Sequence, residues 1–194
     1  MDINLQPKIE PRKIQYEGLE YLINYADLTA GVIGYNSTKI NVMIPRSIIY
    51  ESKEFIVISI LEHAFDRKAI KSIEFAADSE VRTIENDAFQ FCYVESISFP
   101  SSLIELKDHW NYGMCKLKKI EVMPNNKYFK VYDTKYLLRK SSLEKENYDI
   151  LVQCIVNVIE VNIPNFIEII GICAFSFCRK IRTIEFQPNS KLRI

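Results

Sequence analysis

Only two histidines occur in the 194 residues, His63 and His109. That scarcity leaves little material for a histidine metal centre or a proton relay. The chain also lacks a Gly-rich phosphate loop, a G-x-S-x-G and an H-E-x-x-H. The common signatures of nucleotide binding, serine hydrolysis and zinc proteolysis are therefore missing. Glycine and proline are sparse, five and seven, and no stretch has linker or low-complexity composition. Net charge is missing too, since 25 basic residues balance 25 acidic ones. Without a basic stripe to neutralise phosphates, nucleic acid is not an expected partner. No apolar run nears the roughly 18 residues that suggest a membrane span. The opening "MDINLQPKIEPRKIQYEGLE" shows no basic-then-apolar export signal. No C-x-x-C occurs among the five cysteines; an odd number leaves at least one free thiol, and reduced, buried thiols are expected.

What is present is an ordinary globular composition, 48% hydrophobic and 12% aromatic, with length for one domain and a sizeable core. Self-comparison shows more. "VISILEHAFDRKAIKSIEF" from Val57, "VRTIENDAFQFCYVESISFP" from Val81 and "IEIIGICAFSFCRKIRTIEFQP" from Ile167 align on Ala-Phe. Each places Ile three positions and Phe eight positions after an aliphatic residue: Val57/Ile60/Phe65, Val81/Ile84/Phe89 and Ile167/Ile170/Phe175. Phe65 and Phe89 lie 24 positions apart. A fourth copy, "LIELKDHWNYGMCKLKKIEVMP", is worn. It keeps a spacing of 23 from Cys92 to Cys115 and from Ile97 to Ile120, but loses Ala-Phe. Either Tyr112 or Trp110 fills its phenylalanine slot.

A period near two dozen residues falls in the leucine-rich-repeat range of about 20–29. Each unit ends in an alternating run: "KSIEF", "ESISF", "KKIEV", "RTIEF". Alternation at period two predicts short strands with one apolar and one polar face. Ile73/Phe75, Ile97/Phe99, Ile120/Val122 and Ile184/Phe186 are expected to point inward. Ser72, Glu74, Ser96, Ser98, Lys119, Glu121, Thr183 and Glu185 are expected to point outward as a mildly acidic, rung-by-rung interaction face. No unit can bury its apolar edge alone, whereas stacked units can. Ala64, Ala88 and Ala174 are small where turns pass close to the next unit. Phe65, Phe89 and Phe175, with Cys92, Cys115 and Cys178 three positions after the aromatic slot, form an expected apolar spine; Lys68 holds the cysteine slot in the first copy. A catalytic thiol has no reason to recur at one repeat position, while Cys serves well as a small buried apolar residue.

The pattern Ala-Phe-x-x-Cys, then Ile-x-Phe-Pro, with aliphatic-x-x-Ile before the next Ala-Phe, resembles the BspA-like leucine-rich repeats. "NVMIPRSI", "SISFPSSLIEL" and "VNIPNFIEIIGICAF", with Gly171 at the Ile-Gly step, are similar to that family's links. The resemblance covers roughly residues 20–194. It implies a β-rich, right-handed solenoid with short parallel strands and an irregular or 3-10 convex side, plus N-terminal and inserted β-hairpins. The expected organisation is an N-terminal extension over 1–19 and a β-hairpin capping unit over 20–55. Repeats follow over 56–124, an inserted hairpin over 125–160, and a further repeat over 161–194 with the array ending uncapped at "NSKLRI". The spacing from the cysteine slot to Ile is five twice, but six from Cys178 to Ile184, which predicts turns of unequal length.

The resemblance implies a non-catalytic protein-interaction or adhesion module, with a protein or cell-surface ligand and a place at the cell surface. An intracellular scaffold, self-associating through an open C-terminal edge, is the alternative. Cofactors, metals and catalytic residues are not expected. His63 precedes an Ala-Phe and reads as a turn residue. His109 and Cys115, with Asp108 close in sequence, carry the one remote enzymatic alternative, a Cys/His hydrolase.

Overall fold

The computed structural model describes residues 11–193. Residues 1–10, more than half of the expected extension, and position 194 lie outside that range. Seventeen short strands and no helix occur among the described residues. None of the chain there is a helix long and apolar enough to cross a membrane.

The chain begins with an antiparallel meander of β1 (Arg12–Tyr16), β2 (Leu19–Asn24) and β3 (Thr29–Tyr35). β1 falls inside the stretch expected to be an extension. It is held because Ile14 packs on the core and all five of its residues pair with β2. Next come β4 (Asn41–Ile44), β5 (Ser47–Tyr50) and β6 (Lys53–Ile60). β5 folds back on β6, while β3 runs parallel to β6, so the meander closes one end of the coil.

From there the chain winds. β7 (Ser72–Phe75), β8 (Thr83–Ile84), β9 (Ser96–Phe99), β10 (Glu105–Leu106) and β11 (Lys119–Val122) alternate between two parallel ladders. One ladder has the order β11-β9-β7-β4; the other continues β3 through β6, β8 and β10. The strands exist because each run alternates: Ile73, Phe75, Ile97, Phe99 and Ile120 are buried, and their neighbours face out. Between β8 and β9, and in each equivalent coil, the chain reverses through a turn containing two left-handed residues. These are His63 and Arg67, Asp87 and Phe91, His109 and Gly113, and Cys173 and Phe177.

An antiparallel hairpin of β12 (Phe129–Tyr132) and β13 (Tyr136–Arg139) interrupts the winding. Two buried polar side chains anchor it. Asn126 donates to the carbonyls of Pro100 and Leu103 at 3.0 and 2.9 Å and accepts from the amides of Tyr128 and Phe129. At the other end Asp149, 1% exposed, accepts from the Ser141 amide and hydroxyl and from Lys145. β14 (Ile150–Cys154) still pairs with β13, yet already runs parallel to β16 (Ile169–Ile170), so it resumes the coil. β15 (Glu160–Ile163) and β17 (Thr183–Phe186) form a separate two-stranded ladder. The apolar interior divides into a large cluster that takes in Phe129 and Leu137 of the hairpin and a smaller one that takes in Tyr136 and Leu138 with residues beyond it.

Candidate interaction face and spine

The left-handed residues settle the register of the worn repeat. His109 and Gly113 take the places of Asp87 and Phe91, so Trp110 stands at the alanine position and Asn111 at the phenylalanine position. Backbone bonds agree: the Phe65 amide donates to the Ala88 carbonyl at 2.8 Å, and the Phe89 amide donates to the Trp110 carbonyl at 3.0 Å. Neither Tyr112 nor Trp110 therefore occupies the phenylalanine position. The indole does fill the space. Trp110 meets Phe89 edge-on at 6.2 Å and Phe99 at 5.5 Å. Asn111 turns to Gln153 of the resumed coil and hydrogen-bonds it, with both residues buried. Gly113 is required there, because a Cβ would strike the Phe91 ring and its φ is +78°.

The spine follows from this register. Phe65 and Phe89 are fully buried and stacked, with centroids 5.2 Å apart and planes 15° apart. Tyr35 of the meander packs on Phe65 at 5.8 Å with its ring tilted by 38°. Cys92 is fully buried and donates to the Lys68 carbonyl at 3.2 Å; burial raises its thiol to about 11, so it stays protonated. Cys178 is buried likewise. Cys115 does not belong to the spine. It is exposed, and Met114, 3% exposed, holds the interior slot. The worn turn is one residue longer between this slot and the strand, which carries Cys115 outward. Phe175 is only half-buried, and no ring stacks on it among the described residues. Its neighbour in the preceding coil is small: the Cys154 amide donates to the Ala174 carbonyl at 2.7 Å, as Phe65 does to Ala88. Cys154 therefore stands at a spine position that sequence comparison passed over.

Six of the eight expected face residues share one surface. Ser72, Glu74, Ser96, Ser98, Lys119 and Glu121 lie on β7, β9 and β11, in the pairings Ser72↔Ser96, Ser96↔Lys119 and Ser98↔Glu121. β4 adds Asn41 and Met43, unforeseen because "NVMIP" carries no Ala-Phe marker. Ser72 donates to Asn41 at 2.9 Å, tying the two rungs. Lys119 pairs with Glu121 at 2.8 Å, so the face is less acidic than the glutamates alone suggest. Thr183 and Glu185 are separate: they sit on β17 beside Glu160 and Asn162 of β15, in the second ladder. Ile184 and Phe186, expected inside, are 47% and 49% exposed, because β17 pairs only with β15 and nothing covers its apolar side among the described residues. Where the first ladder stops, Ser98, Lys119, Glu121, Val131, Asp133 and Thr134 surround an open groove of about 690 Å³.

A second surface was invisible in sequence because ring exposure cannot be read there. Phe91, Tyr93 and Tyr112 are exposed on neighbouring turns. Phe91 meets Tyr112 at 5.4 Å, Arg67 lies 5.6 Å from the Phe91 ring, and Lys116 lies 5.0 Å from the Tyr93 ring. The His109 imidazole packs against Tyr112 at 6.3 Å. It makes no hydrogen bond to Cys115 among the described residues, so geometry does not assemble the Cys/His pair. Both histidines occupy the same left-handed turn position.

A family model for the BspA type leucine rich repeat region matches residues 58–146 and 147–193, in six copies. A leucine-rich repeat protein from Bacteroides ovatus is similar over 92% of this chain and 45% of its own, at 22% identity and a TM-score of 0.59. One from Eubacterium ventriosum is similar over 90% and 59%, at 16% identity and a TM-score of 0.51. A leucine rich cell surface protein from Faecalibacterium prausnitzii matches over 91% and 77%, at 13% identity and a TM-score of 0.41. The chain thus spans about half the length of the Bacteroides and Eubacterium proteins. A search of curated proteins finds no match. Period, parallel ladders and family match agree that this chain is a member of the BspA-type leucine-rich-repeat family.

Proposed function

We propose that the chain is a non-catalytic recognition module that presents the outward face of its first ladder to a protein partner at a cell surface. The observation that carries this reading is the continuity of the face. Four parallel strands align Asn41, Met43, Ser72, Glu74, Ser98 and Glu121 in register, and the face runs into the groove beside β11. A solenoid offers such a broad, stiff surface at low ordering cost. The test places a photo-cross-linking residue at Ser98 or, as control, at exposed Asn86. Protein adducts from Ser98 alone support the reading; equal capture at both sites refutes the face. Labelling of intact cells with a membrane-impermeant reagent tests location, and an unlabelled chain sinks the surface role.

A self-associating scaffold is the second reading. It is favoured by Ile184 and Phe186, exposed on β17, which pairs only with β15 among the described residues, since an unpaired apolar edge invites strand pairing. Sedimentation of the wild type and of Phe186→Lys distinguishes it: dimers that the substitution removes support association, and a monomer at all concentrations excludes it.

A further inference from the structure

Two of the five thiols approach the same backbone carbonyl. Cys154 ends β14, and Cys178 lies in the turn of the next coil. Cys154 Sγ donates to the Ile155 carbonyl at 3.5 Å. Cys178 Sγ approaches the same oxygen at 3.6 Å and the Cys154 carbonyl at 3.6 Å. The two sulfurs therefore converge on one carbonyl, and the coils that carry them are joined by the Cys154 amide to Ala174 carbonyl bond at 2.7 Å.

The pair is also asymmetric. Cys154 is wholly buried, whereas Cys178 is 8% exposed and lines a surface depression with Phe175, Phe177 and Arg179. The neighbouring Arg179 guanidinium, 5.4 Å from the Phe177 ring, supplies a cation at that opening. Closeness to Cys154 lowers the Cys178 thiol against the opposing effect of burial, and closeness to Cys178, with burial, raises Cys154. A thiol at the rim of a surface depression with a second thiol behind it is the arrangement of a reversible oxidation site. Cys92 differs on each count: it is sealed, its thiol is raised, and it contacts the Lys68 carbonyl instead of a sulfur.

We propose that Cys178 and Cys154 form a thiol oxidation site, with Cys178 as the attacking sulfur, Cys154 as the resolving sulfur and a small disulfide such as oxidised glutathione as the oxidant. The Cys178 thiolate attacks one sulfur of the oxidant; its S–S bond breaks and one glutathione thiolate leaves and takes a proton. Cys154 then releases its proton to water and attacks Cys178 Sγ, expelling the second glutathione thiolate. The two protein thiols lose two electrons and two protons, and two molecules of reduced glutathione carry them. The product is a bridge between adjacent coils across the smaller apolar cluster.

The native protein is exposed to oxidised glutathione, quenched in acid and mapped by peptide mass spectrometry. The expected product is a Cys154–Cys178 cross-linked peptide. Cys154→Ser is expected to stop at a glutathione adduct on Cys178, and Cys178→Ser to leave Cys154 unmodified. Adducts confined to Cys115 or Cys173, with Cys154 and Cys178 still thiols, overturn the proposal. So does equal modification of Cys154 in Cys178→Ser. Should either variant fail to fold, alkylation rates in the wild type decide. Cys178 is expected to react well ahead of Cys154 and Cys92 in native buffer, and equal rates refute the assignment.

Discussion

Phe89→Ala is the sharpest test of the stacked spine. Phe89 has no exposed surface, lies parallel to Phe65 at 5.2 Å and receives the edge of Trp110 at 6.2 Å. Truncating a buried phenylalanine ordinarily costs about 3–5 kcal/mol. Each ring pair contributes about 0.5–1.5 kcal/mol beyond burial, so two lost pairs put the cost near the top, about 4–5 kcal/mol. Phe175 occupies the equivalent position in the last repeat but is half-buried and unstacked. Phe175→Ala should therefore cost under about 2 kcal/mol. Trp110 is the only tryptophan and touches Phe89, so its fluorescence reports unfolding at the site of the perturbation. In urea, with a slope of about 2 kcal/mol per molar, the Phe89→Ala midpoint should fall by about 2 M. A loss below about 1 kcal/mol, or a Phe175→Ala cost as large as that of Phe89→Ala, would refute the spine and the register on which it rests.

Three further outcomes follow from the same packing. Met114→Ala should cost about 2–5 kcal/mol, and Cys115→Ala should stay within about 0.5 kcal/mol, measured by urea denaturation; the reverse order would return the interior slot to Cys115. Gln153→Leu should destabilise by about 1–3 kcal/mol, because it strands buried Asn111, and adding Asn111→Leu should recover most of that loss. A double-mutant cycle with no coupling would deny the pair. Burial opposes ionisation of Asp149, but Lys145 and Ser141 outweigh it and hold the carboxyl at about 2, below its ordinary 3.8. A depressed carboxyl stabilises the fold fully above its unfolded value, and that contribution is lost as pH falls from about 3.8 towards about 2. Asp149→Asn should be less stable than the wild type at pH 6, with the gap closing at acid pH; a gap independent of pH would contradict this.

Residues that repeat were legible because repetition averages out local accidents. Phe65, Phe89 and Cys92 each stand at one phase of a short period, and stacked units bury their apolar residues at such a phase. Positions that occur once were not. Asn126 and Asp149, the anchors of the hairpin, look in sequence like ordinary polar loop residues. Their burial depends on carbonyls and cations brought from distant coils. The worn repeat misled for a related reason. The conserved spacing from Cys92 to Cys115 suggested an interior thiol, but one residue inserted after Met114 turns Cys115 to solvent.

The sequence by itself determined the kind of object this is. A period near two dozen residues, alternating strand runs and apolar residues at one phase leave a stacked β solenoid as the arrangement that buries them. Tertiary structure alone decided which surface each rung joins. Glu121 and Glu185 have the same place in their repeats, yet the hairpin between them puts one on the four-stranded ladder and the other on a separate pair. It also decided that Cys154 and Cys178 converge on one carbonyl. Such proximity depends on how coils of unequal length stack, and the spacing of residues along a chain does not contain it.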